Sequence, residues 1–332
     1  MTTLPTQKEN RSGSRILGIV RRLAPWVAVG CVVFALLPRA PELRLCLSRM
    51  SEGYLAIALA LCLAYWFLNA GVWAWILEAL GHPIPYVTGM RVWLTSESLR
   101  WLPGSIWGFC SRVDAARRLG VPVAIASISL PVELSVVIAS WGFVAAGGLA
   151  VSGLGIRLLR LSANWILPLL AVLGVVLIAG RIGWPILSRH HWFKAGLERF
   201  KKVLNLDLRR PALVRSGFVY VLLNSGHGLG FWLMLAGMGS QHAVSPAAAI
   251  GANAAGWLLG FFAIGVPGGI GVREAGAALF LSPIMPWHEA VLAAGLWRVL
   301  QIVAELAALV PWLFFGGVET KARLNGLAEE RS

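Results

Sequence analysis

Residues 266–275 read Val-Pro-Gly-Gly-Ile-Gly-Val-Arg-Glu-Ala, and they interrupt a long apolar region in which a continuous helix would be expected. The proline lacks a backbone N–H donor and the three glycines loosen the chain. Arg273 and Glu274 then introduce two charges at apparent membrane depth. A bilayer tolerates irregular backbone only where protein buries it or water lines it. The stretch therefore predicts the tip of a re-entrant hairpin that faces a polar cavity.

The composition around this stretch is that of a membrane protein. Hydrophobic residues make up 58% of the 332 residues, the mean hydropathy is +0.73, and 13% of residues are charged. Soluble domains contain roughly 25% charged residues. We therefore expect an all-α integral membrane protein, with almost the whole chain in the membrane domain.

The net charge of +14 does not indicate a nucleic-acid partner, because the basic residues cluster at the ends of apolar spans. This distribution is typical of the positive-inside rule and of contact with anionic lipid headgroups. The four cysteines and six histidines show no ligand spacing, so we expect no metal site and no cofactor.

Two kinds of apolar segment follow one another along the chain. Two segments, 86–118 and 246–283, are broken by Pro-Gly, and we interpret them as re-entrant hairpins that enter and leave on one side. Uninterrupted spans are predicted near 20–38, 54–80, 122–150, 163–187, 212–238 and 287–317. The predicted architecture is thus about six full transmembrane helices plus two re-entrant Pro-Gly hairpins.

The distribution of Arg and Lys predicts the orientation. The segments expected inside are richer in basic residues than the loops expected outside; inside are 1–22, 81–121, 188–215 and 318–332, and outside are 39–53, 151–162 and 239–245. By the positive-inside rule, both termini are cytoplasmic and the protein is multi-pass in a bacterial-type inner membrane.

Three parts are expected along the chain: a basic tail at 1–22, a membrane domain at 23–317 and a second tail at 318–332. The N-terminus also resembles a signal peptide, but no A-x-A site follows, so we expect an uncleaved first helix. The basic loop 188–211 carries apolar residues at helical spacing. It is either an amphipathic helix on the inner membrane surface or a solvated connector.

A faint internal repeat relates the two parts of the membrane domain, about 54–187 and 212–317. Leu68-Asn-Ala-Gly71 recurs as Leu223-Asn-Ser-Gly226, and Pro103-Gly-Ser-Ile106 recurs as Pro267-Gly-Gly-Ile270. Three predicted crossings separate the two Asn-containing segments, so the halves would be inverted. Inverted repeats with broken helices at their interface are a transporter architecture.

The second hairpin has two interpretations. In the first, the amides of Gly268 and Gly269 and the side chain of Arg273 hold an anionic headgroup, and Glu274 orients Arg273. In the second, the segment is a Gly-rich turn in which Glu274 caps the following helix.

The first hairpin carries Arg100 and Arg112 on either side of Pro103 and Gly104. These four residues form the corresponding candidate headgroup site. The arginines of this region could equally be positive-inside charges. Glu97 and Asp114 are the expected ion-pair partners of Arg100 and Arg112.

Three ionisable residues, Glu133, Arg298 and Glu305, lie well inside full spans. A charge at a helix centre costs roughly 2.5–3.5 kcal/mol on insertion scales, so each needs a partner or a wet cavity. The repeat favours a Glu133–Arg298 pair, which would act either in transport or as a structural lock between the halves. Asn69 and Asn224 are expected to hydrogen-bond across helices.

The two Pro-Gly motifs resemble the signatures of the lysylphosphatidylglycerol-synthase transmembrane-region family of flippase-like membrane proteins. Residues 267–275 are similar to the second signature and 102–112 to the first, and the resemblance covers about 50–317. It implies a two-half membrane domain that, in the best-known members, moves an aminoacylated phospholipid between leaflets. Other members are associated with polyprenyl-linked sugars or hopanoids.

Bifunctional members of that family also carry a soluble domain that transfers an aminoacyl group from tRNA. This chain ends at Ser332, so we expect only the transport part. The first hypothesis is a transporter that moves a phospholipid or lipid-linked intermediate, with membrane lipids as partners.

Two other functions stay open. One is a non-catalytic accessory protein for a lipid- or glycan-modifying enzyme. The other is an intramembrane enzyme with Glu97 or Asp114 as base. No enzyme motif supports the latter, so we expect a protein without catalytic residues.

Overall fold

The computed structural model of the protein describes residues 50–97, 99, 107–161, 209–239, 244–263 and 267–329. Within these ranges the chain is helical, as the sequence predicts, and contains no strand. The predicted spans 20–38 and 163–187, the tail 1–22, loop residues 188–208 and the last three residues of the predicted tail 318–332 lie outside the described residues.

Nine α-helices and one short 3₁₀ turn make up the described part of the chain. They are α1 (Glu52–Ala79), α2 (Tyr86–Glu97), α3 (Trp107–Arg118), α4 (Val123–Val151), α5 (Leu154–Leu161), α6 (Arg210–Gly237), α7 (Pro246–Phe262), the 3₁₀ turn Pro267–Gly269, α8 (Val272–Leu281) and α9 (Trp287–Glu329).

Four of these helices are long and apolar enough to cross a membrane: α1, α4, α6 and the first part of α9, Trp287–Leu309. They correspond to four of the six spans that the sequence predicts. The other two predicted spans fall outside the described ranges.

Helices α1 and α6 pack side by side and antiparallel, and polar contacts fix both ends of the pair. At one end, Ser51 N donates to Gly237 O at 3.1 Å. At the other end, Arg215 Nη2 lies 2.6 Å from Glu78 Oε2. The pair therefore joins the first and second parts of the membrane domain along the length of a span.

The two Pro-Gly segments each contribute a pair of short helices to the fold. Helices α2 and α3 pack together and against α1 and α4, whereas α7 and α8 pack together and against α4 and α9. With 10 residues, α8 rises only about 15 Å, which is half of the roughly 30 Å of a bilayer core.

The turn between α7 and α8 requires glycine. Gly268 and Gly269 have φ angles of 63° and 66°, in the left-handed region that other residues rarely adopt. Ser245 starts the hairpin as the N-cap of α7, since its hydroxyl accepts from Ala248 N at 3.2 Å. The hairpin thus has a capped start and a sharply bent tip.

Candidate functional site

A cavity of about 430 Å³ lies between the two parts of the membrane domain. Both Pro-Gly segments reach it, since α2, α3 and α4 line one side and α7, the 3₁₀ turn, α8 and α9 line the other. Its walls combine aromatic residues (Tyr65, Trp66, Trp93, Phe109, Trp141, Trp257, Phe261) with charged ones (Glu97, Arg112, Glu133, Arg273, Arg298). A cavity of this size and composition can hold a polar group next to hydrocarbon.

Arg112 anchors the first side of the cavity. Its Nη1 donates to Glu133 Oε2 at 2.7 Å, its Nε to Ser96 Oγ at 3.0 Å, and its Nη2 to Glu97 Oε2 at 3.3 Å. The guanidinium also lies 5.1 Å from the ring centre of Trp93. With 3% exposure, Arg112 is engaged by protein through all three guanidinium nitrogens.

Glu133 collects further donors from two other helices. Trp93 Nε1 donates to Glu133 Oε1 at 2.7 Å, and the Tyr220 hydroxyl donates to the same oxygen at 3.3 Å. The predicted Glu133–Arg298 pair is therefore wrong. Helix α3 packs against α4, and this contact places Arg112 next to Glu133 in the position that the prediction gave to Arg298.

Asp114 lies on the surface and away from this cluster. Asp114 pairs with Arg117 at 3.0 Å and with Arg118 at 2.8 Å. The prediction that Asp114 is a partner of the hairpin arginine Arg112 is therefore wrong. The hydrogen bond from Arg117 is the main cause that lowers the pKa of the Asp114 carboxyl below its usual range. Of the two predicted carboxylates, Glu97 is the one that contacts Arg112.

Arg298 holds the tip of the second hairpin. Its Nη2 donates to Gly268 O at 3.0 Å and its Nη1 to Gln301 Oε1 at 3.2 Å, while its Nε lies 3.7 Å from Glu274 Oε1. The other oxygen of Glu274 accepts from Gly271 N at 2.6 Å. Glu274 therefore caps the start of α8, as the second interpretation of the hairpin expects, and also faces Arg298.

Arg273 is positioned by an aromatic stack. Its guanidinium carbon lies 5.2 Å from the ring centre of Trp257. Trp257 in turn stacks on Trp141 at 5.0 Å and on Phe261 at 5.3 Å. The side chain of Arg273 lies against Gly260, where a Cβ would collide with it. Trp257 and Gly260 thus place Arg273 on the cavity wall, a role that the sequence assigned to Glu274.

The remaining predicted site residues are distributed as follows. Gly268 and Gly269 line the cavity. Glu305 is buried in α9 at 2% exposure and is not among the cavity-lining residues. Pro103, Gly104 and Arg100 lie outside the described residues.

Two polar residues at the cavity, Gln301 and His227, were missed by the sequence reasoning. His227 of α6 lines the cavity, and its Nδ1 lies 3.1 Å from Asn253 Nδ2. Trp297 Nε1 donates to Asn253 Oδ1 at 3.0 Å. A histidine flanked by Gly226 and Gly228 in an apolar span was the available signal, but it indicated only close helix packing.

The two asparagines of the repeat differ in their surroundings. Asn224 Nδ2 donates to Ser140 Oγ at 2.9 Å, which joins α6 to α4 and confirms the predicted contact across helices. Asn69 instead lines the cavity. The two repeat positions are therefore not used in the same way.

The family model of the lysylphosphatidylglycerol synthase TM region matches residues 19–308, which is most of the chain. The chain belongs to this family. No curated protein and no solved structure gives a significant match to it.

The charges of this family member separate into two groups around the cavity. Arg112 faces Glu97 and Glu133 on one side, and Arg273 and Arg298 lie with Glu274 on the other. The second group has a surplus of positive charge and can attract an anion. Among the described residues, no group of three or more His, Cys, Asp or Glu side chains could hold a metal ion.

Proposed function

We propose that the protein is a flippase-like transporter that moves a phospholipid or lipid-linked intermediate between the leaflets of the inner membrane, without a catalytic step. The observation that carries the proposal is the cavity with its charged and aromatic walls. Glu133 and Arg298 lie about 15 Å from the starts of α4 and α9, close to the middle of a roughly 30 Å bilayer core. A polar site at this depth would serve a headgroup in transit.

The hairpins support an alternating-access arrangement. Helix α8 is too short to cross the bilayer, so the α7–α8 hairpin would be re-entrant with its tip at the cavity. In the first part of the membrane domain, hairpin Arg112 pairs with Glu133 of the following span. In the second, hairpin Glu274 faces Arg298 of the following span. This correspondence, with the charges exchanged, favours an inverted repeat.

Arg273 is the residue that we assign to the headgroup. Its side chain lines the cavity, and its guanidinium rests its face on Trp257. Face-on stacking is compatible with two in-plane N–H contacts to a phosphate, which is the geometry that Arg prefers. The acyl chains would stay in the surrounding lipid.

Leaflet transfer tests the proposal directly. The purified protein is reconstituted into liposomes that contain fluorescent phospholipids of several headgroup classes, and the rate at which inner-leaflet label becomes accessible to dithionite is measured. For the transported class, Arg273→Ala should lower this rate at least tenfold, because a charge-assisted contact to phosphate is lost.

The matched control is Arg118→Ala, which removes an arginine that is 75% exposed and paired at the surface. This variant should transfer lipid at the wild-type rate. Equal rates for protein-free liposomes, wild type and Arg273→Ala, over all headgroup classes, would contradict the proposal and favour an accessory role.

A further inference from the structure

His227 lies where the cavity meets a smaller one beside it. Four other residues line both spaces: Trp257, Arg273, Arg298 and Gln301. The imidazole is therefore part of the same stretch of wall as the two arginines of the positive group. It is 5% exposed and packs between the rings of Tyr65 at 4.7 Å and Trp297 at 5.1 Å.

A chain of hydrogen bonds fixes which nitrogen of His227 carries the proton. An indole N–H can only donate, so the Asn253 atom that faces Trp297 Nε1 at 3.0 Å must be the amide oxygen. The amide nitrogen of Asn253 then faces His227 Nδ1 at 3.1 Å and must donate to it. His227 Nδ1 is consequently an acceptor without a proton.

This arrangement excludes two of the three forms of the ring. The Nδ1–H tautomer and the imidazolium would each place a donor against the Asn253 donor. The remaining form is the neutral ring with its proton on Nε2. Within the described part of the chain, no hydrogen bond satisfies Nε2, so this N–H is the ring donor left for a ligand at the cavity.

We propose that His227 Nε2–H is a specificity-determining donor that, together with Arg273, contacts a phosphate oxygen of the lipid headgroup. This inference rests on the proposed function for the source of the phosphate. A neutral N–H adds a directional contact without adding charge to a membrane interior, where each extra charge is costly. It also distinguishes a phosphate oxygen, which accepts, from an ammonium group, which does not.

Two substitutions of His227 distinguish the effect of its N–H donor from the effect of its flat ring. His227→Gln keeps an amide N–H at nearly the distance of Nε2, and His227→Phe keeps a flat ring without a donor. Binding of dioctanoyl phosphatidylglycerol to the full chain in detergent is measured by native mass spectrometry, beside dioctanoylglycerol, which has the same chains and no phosphate. We expect His227→Phe to lower affinity for the phosphate-bearing lipid about tenfold or more, and His227→Gln to retain most of it.

A measurement on the wild type guards against variants that do not fold. Nitrogen-15 NMR of the histidine-labelled protein reports the tautomer, and the expected result is Nε2–H with unprotonated Nδ1. A Nδ1–H tautomer or an imidazolium for His227 would overturn the assignment. Affinity in His227→Phe equal to the wild type would overturn it as well.

The two proposals can fail separately. If phosphatidylglycerol binding depends on His227 and Arg273 but liposomes show no leaflet transfer for any class, the donor role stands and transport is wrong. If transfer is observed and depends on Arg273 alone, transport stands and the role of His227 is wrong. Inorganic phosphate is the third probe: His227-dependent binding of phosphate without lipid binding would support the donor and contradict the lipid source.

Discussion

Arg112 and Arg273 each follow one of the two Pro-Gly motifs, yet their surroundings differ. Arg112 donates to Glu133, Glu97 and a serine, and these contacts tie the first hairpin to α4. Arg273 rests on Trp257 at the cavity wall. We infer that Arg112 is a positioning residue, although the sequence suggested a headgroup contact for both arginines.

The positioning role of Arg112 can be measured as stability. Glu133→Leu leaves a buried guanidinium without its main counter-charge and is expected to lower the free energy of unfolding by about 3–5 kcal/mol. Arg112→Leu combined with Glu133→Leu should recover much of this loss, because the buried guanidinium is removed together with its main counter-charge. Denaturant titration in mixed micelles measures both.

The control for this pair is Asp114→Leu, which breaks an ion pair between exposed side chains. Surface pairs contribute about 0–1 kcal/mol, so the change should be small. A double variant that is less stable than Glu133→Leu alone would show that the network is more than an ion pair and would contradict this account.

At the scale of residues, the sequence predicted which charged side chains are buried better than it predicted the residues with which they pair. It identified Glu133 and Arg298 as buried charges that need partners, and it predicted that Asn224 bonds across helices. It paired Glu133 with Arg298 because they hold equivalent repeat positions. The partner of Glu133 is Arg112, and this pair depends on how α3 packs against α4. The spacing of residues along the sequence does not determine such a tertiary contact.

At the scale of elements, the α7–α8 hairpin depends on close approach of its two helices. A Cβ at Gly256 would lie 2.7 Å from Arg273 O and 2.8 Å from Ala277 N, both backbone atoms of α8. Backbone atoms cannot move aside as a flexible side chain does. Gly256 therefore sets the separation of the helices and, through α8, the place of Arg273.

Gly256→Ala should force the two helices apart. Overpacking of this kind costs about 1–3 kcal/mol of unfolding free energy, and leaflet transfer should fall because Arg273 shifts with α8. The comparison is Gly295→Ala in α9, where no atom lies within 4 Å of the added Cβ. That variant should be neutral or slightly stabilised, and equal effects at both glycines would rule out the close-approach argument.

The Pro-Gly stretch itself predicted a break in the helix, and the break is present between Phe262 and Val272. The stacking of Arg273 on Trp257 was not predictable, because the two residues lie on different helices and meet only after the hairpin folds. Hydrophobic pattern and turn chemistry are local signals, whereas the lining of the cavity is a product of assembly.

For the whole molecule, four helices long and apolar enough to cross a membrane and two pairs of shorter helices surround a charged cavity in the described residues. The antiparallel α1–α6 pair carries no charge at the cavity, whereas the hairpins carry Arg112, Arg273 and Glu274. Because charged contacts concentrate on the hairpins and on the spans that follow them, relative motion of the two parts would remodel these contacts first. The α1–α6 pair would then act as the hinge of alternating access.

The topology on which this scheme depends can be mapped with single cysteines. In a background without the four native cysteines, Arg118→Cys, Val151→Cys, Pro246→Cys and Ser282→Cys each report the end of an element, and Ile270→Cys reports the hairpin tip. A membrane-impermeant maleimide should label 151, 246 and 282 from outside intact cells and 118 only after permeabilisation. Position 270 should react more slowly than every end position, because a re-entrant hairpin in which α8 rises about 15 Å from the outer surface would have its tip near mid-depth. A re-entrant hairpin would be contradicted if 246 and 282 were labelled from opposite sides, or if 270 were labelled rapidly from the cytoplasmic side. Either result would also contradict the alternating-access scheme, which depends on this hairpin.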